Sequence, residues 1–405
     1  MSTPPRRRRA PVRLPLLGGL AIAVVAACAV AQRAATATTP AGDAATVAAQ
    51  PAARIPARID DATYWRMIGE MSEPDGFFRS DNLVSNEVTF QYVIPELTRA
   101  VGTGGVYLGV GPDQNFTYIV ALKPKIAFIV DIRRGNLLQH MLYKALIESS
   151  TDRADFLSKL FARPRPAKLA ADVGADSLFR AFERVAPDSA LFRRSFAAVR
   201  ERLVKTHGFA LTEDELRGME YVHNAFYSAG PDLTYSFPGG AGMFGRRRMP
   251  TYGELMVQTD SAGVARGYLA SEANFRVLRD LQRANLIVPV VGNFAGDKAL
   301  RAVGGWLKER DATVSAFYLS NVEQYLFRQD DDWRRFLANV GTLPLDSSST
   351  FLRSVFNDMS FRAPVPANAG PTVRSVTLRA SMRETLKAFA EGRIQSYYDV
   401  IDMSR

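Results

Sequence analysis

Residues 106–131 read VYLGVGPDQNFTYIVALKPKIAFIVD, and the order of apolar, glycine and acidic positions in this stretch decides the fold class. An apolar run over 106–108 leads into Gly109-Val110-Gly111. Residues 113–122 are compatible with a helix, and a second apolar run over 126–130 ends in Asp131. Strand, glycine turn, helix, strand and acid in this order make a nucleotide-binding βαβ unit. Small residues at the turn let the backbone approach a ligand. The helix behind the turn offers free N–H groups and the positive end of its dipole. Asp131 lies 20 residues beyond Gly111, the separation at which an acid accepts hydrogen bonds from two ribose hydroxyls.

The turn also discriminates between cofactors. A dinucleotide fingerprint places a third glycine at 114, where this chain has Gln114; a pattern of alternate glycines places one at 113, where it has Asp113. Pro112 removes an N–H donor. That loss weakens a pyrophosphate cradle more than a site for a ligand without phosphates, so the turn favours S-adenosylmethionine over NAD. An NAD-type oxidoreductase also finds no evident hydride-transfer partner.

Working outward, residues 136–149 carry apolar positions at helical spacing directly after Asp131. Upstream, residues 62–70 and 92–101 are expected to be helical, with a polar stretch holding buried-type aromatics over 75–90. From 151 to about 283 helical patterns dominate: 156–161, 177–185, 189–206 and 212–227, the last opened by the Thr212/Glu215 capping box. We expect this stretch to be a helical insertion of about 130 residues. Its glycine- and proline-rich segment 237–250 resembles a lid, and Arg246–Arg248 could meet an acidic substrate or simply be solvated. Alternation then resumes, with strands over 286–291 and 314–319, helices over 297–310 and 333–340, late strands over 349–355 and 372–378, and a final helix over 381–392. Strands alternating with helices predict an α/β fold with a doubly wound, mostly parallel sheet. Pro289 is awkward for a central strand.

The N-terminus predicts export. Arg6–Arg9 and Arg13 precede an apolar segment over 14–27 that is short for a membrane span. Two cleavage patterns remain open: Ala29-Val30-Ala31, and a lipobox ending in Cys28, the only cysteine, which would then be lipidated. An uncleaved anchor is the third possibility. Residues 1–31 are therefore expected to be a signal or anchor, 32–58 a tether rich in alanine, threonine and proline, and 59–405 the folded domain, placed outside the cytoplasm. Of the net charge of +10, half belongs to residues 1–53, where six arginines face one acid. The basic balance is thus partly a targeting signal, and no nucleic-acid-binding signature accompanies it. One cysteine excludes an intramolecular disulfide and a cysteine metal centre. His140, His207 and His223 lack ligand spacing and are expected to be surface or helix-packing residues, so no metal is expected.

LIVPVVGNFAGDKAL, FYLSNVEQYLF and LPLDSSSTFLRSVF, together with the glycine turn and Asp131, carry a resemblance. The chain resembles the class I S-adenosylmethionine-dependent methyltransferase superfamily over roughly residues 60–360. It is most similar there to an uncharacterised group of bacterial methyltransferase-like proteins, some of them exported. The resemblance implies a Rossmann-like fold with Gly109 and Gly111 against the methionine part of the cofactor and Asp131 on the ribose. It puts Asn293 at the adenine amine and Phe294 on the adenine ring. Ser320, Asn321 and Glu323 fall where catalytic or substrate-facing groups lie, with Glu323 as candidate base and Tyr325 or Tyr318 nearby. Glu87 and Gln91 are candidates to line the pocket, and Arg353 to bind a substrate carboxylate or an internal acid. Two functions follow. One is a methyltransferase acting on a small molecule or an envelope component; the other is a non-catalytic binding module that kept the fold. A cleft facing Asp131 with Glu323 pointing into it favours the first, and a cleft plugged by Phe116 or Phe294 the second.

Overall fold

The computed structural model describes residues 54–170, 172–235, 249–356 and 375–405. The expected signal, the Cys28 lipobox, most of the tether and Arg246–Arg248 lie outside the described residues. Six strands form one sheet: β1 Val106–Gly109, β2 Ile126–Asp131, β3 Ile287–Val291, β4 Val314–Tyr318, β5 Thr350–Phe356 and β6 Ser375–Ser381. Their order is β3-β2-β1-β4-β5-β6. β1 to β5 run parallel, and β6 is antiparallel to β5. β1, β2 and β3 are buried at every position. Helices cover both faces of a parallel sheet, so its strands are continuous apolar runs rather than alternating ones.

The sheet order resolves the difficulty of Pro289. β3 is an edge strand, paired on one side only, with Ile129 opposite Pro289. A residue with no N–H costs least where the ladder has one side to serve.

Before β1 come α1 Asp61–Met71, capped by the Asp60 carboxylate, and α2 Ile94–Val101, with Pro95 in its first turn. The Tyr64 hydroxyl of α1 donates to the Ile287 carbonyl at 2.9 Å, which ties this helix to β3. Between β1 and β2 runs α3 Gln114–Leu122, buried at every position except Ala121. After β2 comes α4 Arg134–Ser149, also largely buried.

Between α4 and β3 the chain stays helical, as its periodicity predicts. It forms α5 Arg153–Phe161, α6 Ala175–Glu183, α7 Ser189–Arg200, α8 Glu213–Ala229, α9 Tyr252–Met256 and α10 Glu272–Arg283. The Thr212/Glu215 capping box opens α8. The single helix expected over 189–206 ends differently: after Arg200 it widens into a π-helical turn, Glu201–Thr206, with the His207 N–H donating to the Arg202 carbonyl. The wider turn presents His207 between two carboxylates. Its Nε2 lies 2.8 Å from Glu148 and its Nδ1 3.0 Å from Asp61.

The last third comprises α11 Ala299–Lys308, α12 Val322–Leu326, α13 Asp332–Val340, α14 Met382–Ala390 and α15 Tyr397–Asp402. Helices as short as α9, α12 and α15 show too few turns for apolar periodicity to reveal. Among the described residues no helix is long and apolar enough to cross a membrane.

Candidate functional site

β1 has β2 on one side and β4 on the other. The chain connections therefore diverge at its carboxyl end, and the crevice left there is the usual ligand position in open α/β sheets. A cleft of about 200 Å³ occupies this position. Val110, Gly111 and Pro112 bound it after β1, and Asp131 and Arg133 after β2. Asn293 and Phe294 follow β3, and Ser320 and Asn321 follow β4. Phe77 and Phe78, from the stretch ahead of β1, form part of the rim, where Phe77 is 86% exposed.

The glycine turn is held from behind by Asn115. Its amide donates to the carbonyls of Val110, Gly111 and Pro112 at 2.9, 3.2 and 2.7 Å, and its oxygen accepts from the Tyr107 hydroxyl at 2.9 Å. The two glycines serve different needs. A Cβ on Gly109 would lie 1.9 Å from the Asn115 oxygen, so Gly109 makes room for this clamp. Gly111 has φ +78°, and a Cβ there would meet nothing within 4 Å. Gly111 thus serves the backbone conformation.

His140 Nε2 lies 2.9 Å from the Gly111 carbonyl. That nitrogen must carry the proton, because a carbonyl only accepts. Burial pushes the His140 pKa down to about 4. His223 behaves likewise, also at about 4, with Nε2 2.9 Å from the Lys159 carbonyl. Both rings are buried helix-packing residues. Asp113, beside the turn, is buried too, and burial raises its carboxyl to about 7 although the Tyr268 hydroxyl donates to it at 2.8 Å.

Asp131 ends β2 at the cleft, and Arg133 satisfies much of its carboxylate. The Arg133 backbone N–H and Nε donate to Oδ1 at 2.9 and 3.2 Å, and Nη2 donates to Oδ2 at 3.2 Å. Any ligand group that reaches Asp131 would share these oxygens with the guanidinium. On the opposite wall, the Asn293 N–H donates to Glu73 at 2.9 Å, and the same carboxylate accepts from the N–H groups of Lys298 and Ala299 at the start of α11. Phe294 stacks on Phe336 with centroids 5.5 Å apart, so one ring face belongs to the core while the residue still borders the cleft.

Behind the β4 wall lies Glu87, 1% exposed. Gln114 and Tyr318 each donate to its Oε2 at 2.8 Å, Ser354 donates to the same oxygen, and Ser320 donates to Oε1. None of the four donors is a cation. Ser320 takes φ +51°, an unfavourable conformation for a residue with a Cβ. Its hydroxyl bond to Glu87 and the 2.8 Å bond from the Ser354 N–H to its carbonyl hold it there.

The structure gathers Gly111, Asp131, Asn293, Phe294, Asn321 and Tyr325 around one cleft; Gly109, the last residue of β1, does not line it. Tyr325 packs edge-on against Phe78 at 5.3 Å, and Asn321 donates to Gln324 at 3.3 Å. Glu87 stands one residue behind the wall, reaching the cleft through Tyr318 and Ser320. Besides Gly109 and Glu87, three expected site residues do not line the cleft. Glu323 and Arg353 are buried as an ion pair, so Arg353 binds an internal acid and Glu323 does not point into the cleft. Gln91 instead pins a loop, donating to the Gln258 carbonyl at 2.9 Å and accepting from the Arg266 N–H at 2.7 Å. Phe116 lies in the core against His140, Tyr143 and Tyr268 and does not plug the cleft.

Asn115, Arg133, Glu73 and the Phe77/Phe78 pair escaped sequence reasoning. Only Asn115 left a local signal, a short amide side chain four residues after the glycine it holds. Arg133 is close to Asp131 in sequence, but nothing local says which way its side chain turns.

Together these features define an α/β protein with a mostly parallel six-stranded sheet and a cleft at its switch point. Residues 82–390 match the family described as a domain of unknown function (DUF7790), and the chain belongs to that family. No curated protein matches it.

Proposed function

We propose that this protein binds S-adenosylmethionine in the switch-point cleft and transfers its methyl group to an acceptor admitted beside Ser320 and Tyr325. One observation carries the reading: the cleft is bounded together by the Gly111 turn and by Asp131, the two features expected to meet the methionine part and the ribose. The sheet order, that of a doubly wound nucleotide-binding fold, supports a class I methyltransferase-like architecture. Its antiparallel β6 departs from the all-parallel version. The basic and apolar leader supports an extracytoplasmic site of action, with the domain exported or tethered to the membrane through an anchor or a lipid on Cys28.

Methyl transfer is an in-line displacement in which positioning supplies much of the rate. Glu323 is spent on Arg353, and the Glu87 carboxylate already accepts four hydrogen bonds. The cleft therefore suits an acceptor that attacks through its own lone pair better than one needing a strong base. A second reading, a binding module without chemistry, draws on one observation: the Arg133 guanidinium covers the Asp131 carboxylate.

Calorimetric titration of the full chain with S-adenosylmethionine, beside Asp131→Asn, tests the proposal. Micromolar binding that is lost in the variant supports the cofactor site. Absence of binding by a well-folded chain overturns it. Binding without release of S-adenosylhomocysteine across a panel of thioether, amine and hydroxyl acceptors favours the binding module.

A further inference from the structure

A second cavity, of about 300 Å³, lies between the N-terminal end of α5 and the side of α10 and shares no lining residue with the switch-point cleft. Four arginines line it, Arg153, Arg165, Arg276 and Arg279, with two acids, Asp152 and Glu272.

Both acids are already committed. Asp152 accepts from Arg165 Nη1 at 2.8 Å on each of its oxygens. Glu272 accepts from Arg153 Nε at 2.8 Å and from its N–H at 3.4 Å. Glu272 sits one helical turn before Arg276, at the i,i+4 spacing of a helical ion pair, yet it turns to Arg153 instead. Among the described residues, no carboxylate forms an ion pair with Arg276 or Arg279. These two stand three residues apart on one face of α10, a spacing at which like charges repel.

Arg279 is also incompletely satisfied. Its Nη1 donates to the carbonyls of Ser150 and Thr151 at 3.1 and 2.6 Å, while its Nε is shielded from solvent with no acceptor among the described residues. A desolvated donor without a partner is costly, so the Arg279 guanidinium is held at the cavity wall by its Nη1 bonds alone, and a ligand would meet its outer face. Apart from Thr151, the remaining lining is apolar and includes Leu169, Val173, Leu178 and Phe275. The volume is at the lower end of small-molecule sites.

We propose that this cavity binds a small amphiphilic anion, its oxyanionic head on Arg276 and Arg279 and its apolar body against Phe275 and the neighbouring aliphatic side chains. Phosphate and carboxylate heads share the required chemistry, since each offers planar or tetrahedral oxygens to a guanidinium.

The test is titration of the full chain with phenyl phosphate, benzoate and inorganic phosphate. Saturable binding of phenyl phosphate or of benzoate supports the proposal, and the tighter of the two identifies the head group. Arg279→Ala and, separately, Arg276→Glu should each weaken that binding at least tenfold. Arg276 is exposed, so its variant keeps the fold, as thermal melting would check, even if Arg279→Ala loosens the Ser150 corner. No saturable binding of either probe, unchanged affinity in Arg276→Glu, or inorganic phosphate binding as tightly as phenyl phosphate would each overturn it.

Discussion

Arg353 lies side-on against Glu323, Nε 2.5 Å from Oε2 and Nη2 3.2 Å from Oε1, with both side chains buried. Removing one partner leaves an uncompensated buried charge, which costs about 3–5 kcal/mol. Arg353→Met is therefore expected to lower unfolding free energy by that amount. Adding Glu323→Leu to it should recover a substantial part, because the orphaned carboxylate is gone. Denaturant titration of the two single variants and the double variant measures the coupling. Strict additivity of the two losses would contradict the pairing.

Asp113 makes the fold less stable as pH rises from about 4 to neutrality. Burial raises its carboxyl from 3.8 to about 7, so the unfolded chain gives up this proton before the folded one. Its contribution is most favourable below 3.8 and is lost as pH rises toward 7, by up to about 4 kcal/mol. Asp113→Asn keeps an oxygen to accept from Tyr268 and cannot ionise. It should exceed the wild type in stability at pH 8 and match it near pH 4. Melting curves of both proteins across that range decide the point.

His140 acts in the opposite sense. Its pKa falls from 6.5 to about 4 on folding, so its contribution is present above 6.5 and lost as pH drops toward 4. The loss amounts to up to about 3 kcal/mol. His140→Gln retains an amide donor for the Gly111 carbonyl and does not titrate here. The variant should show a shallower fall in stability between pH 6.5 and 4, read by denaturant midpoints at several pH values.

The two glycines of the turn should fail by different mechanisms. Gly109→Ala drives a Cβ into the Asn115 oxygen, and overpacking of this kind costs about 1–3 kcal/mol. Gly111→Ala meets no atom and pays only for its positive φ, about 1–2 kcal/mol. Combining each with Asn115→Ala distinguishes them. The clamp deletion should offset part of the first loss and none of the second.

Arg133→Met should free both Asp131 oxygens for a ribose. On the proposed function, it raises S-adenosylmethionine affinity severalfold while lowering the melting temperature, since a largely buried carboxylate at the end of β2 loses its cation. Reduced affinity in a folded variant would mean that Arg133 itself contacts the ligand.

The βαβ unit around Gly109, Gly111 and Asp131 was legible because each part is local. Burial on both faces makes β2 a continuous apolar run, and the turn announces itself by residues that tolerate positive φ or close approach. The helical stretch between β2 and β3 was legible for the same reason, through periodicity and the Thr212/Glu215 box. Pro289 misled only until the sheet order was known, because being on an edge is a property of neighbouring strands, not of the strand itself.

The sequence by itself determined the class of fold, the order of its strands and of most of its longer helices, and the turn that faces the cleft, since short-range sterics and hydrophobic periodicity are written residue by residue. Only the tertiary structure decided which charges meet. It paired Glu323 with Arg353, laid Arg133 over Asp131, set Glu87 among four neutral donors and, among the described residues, left Arg276 and Arg279 without a carboxylate. Long polar side chains choose partners by distance in space, and desolvation on burial makes that choice costly to leave unmade.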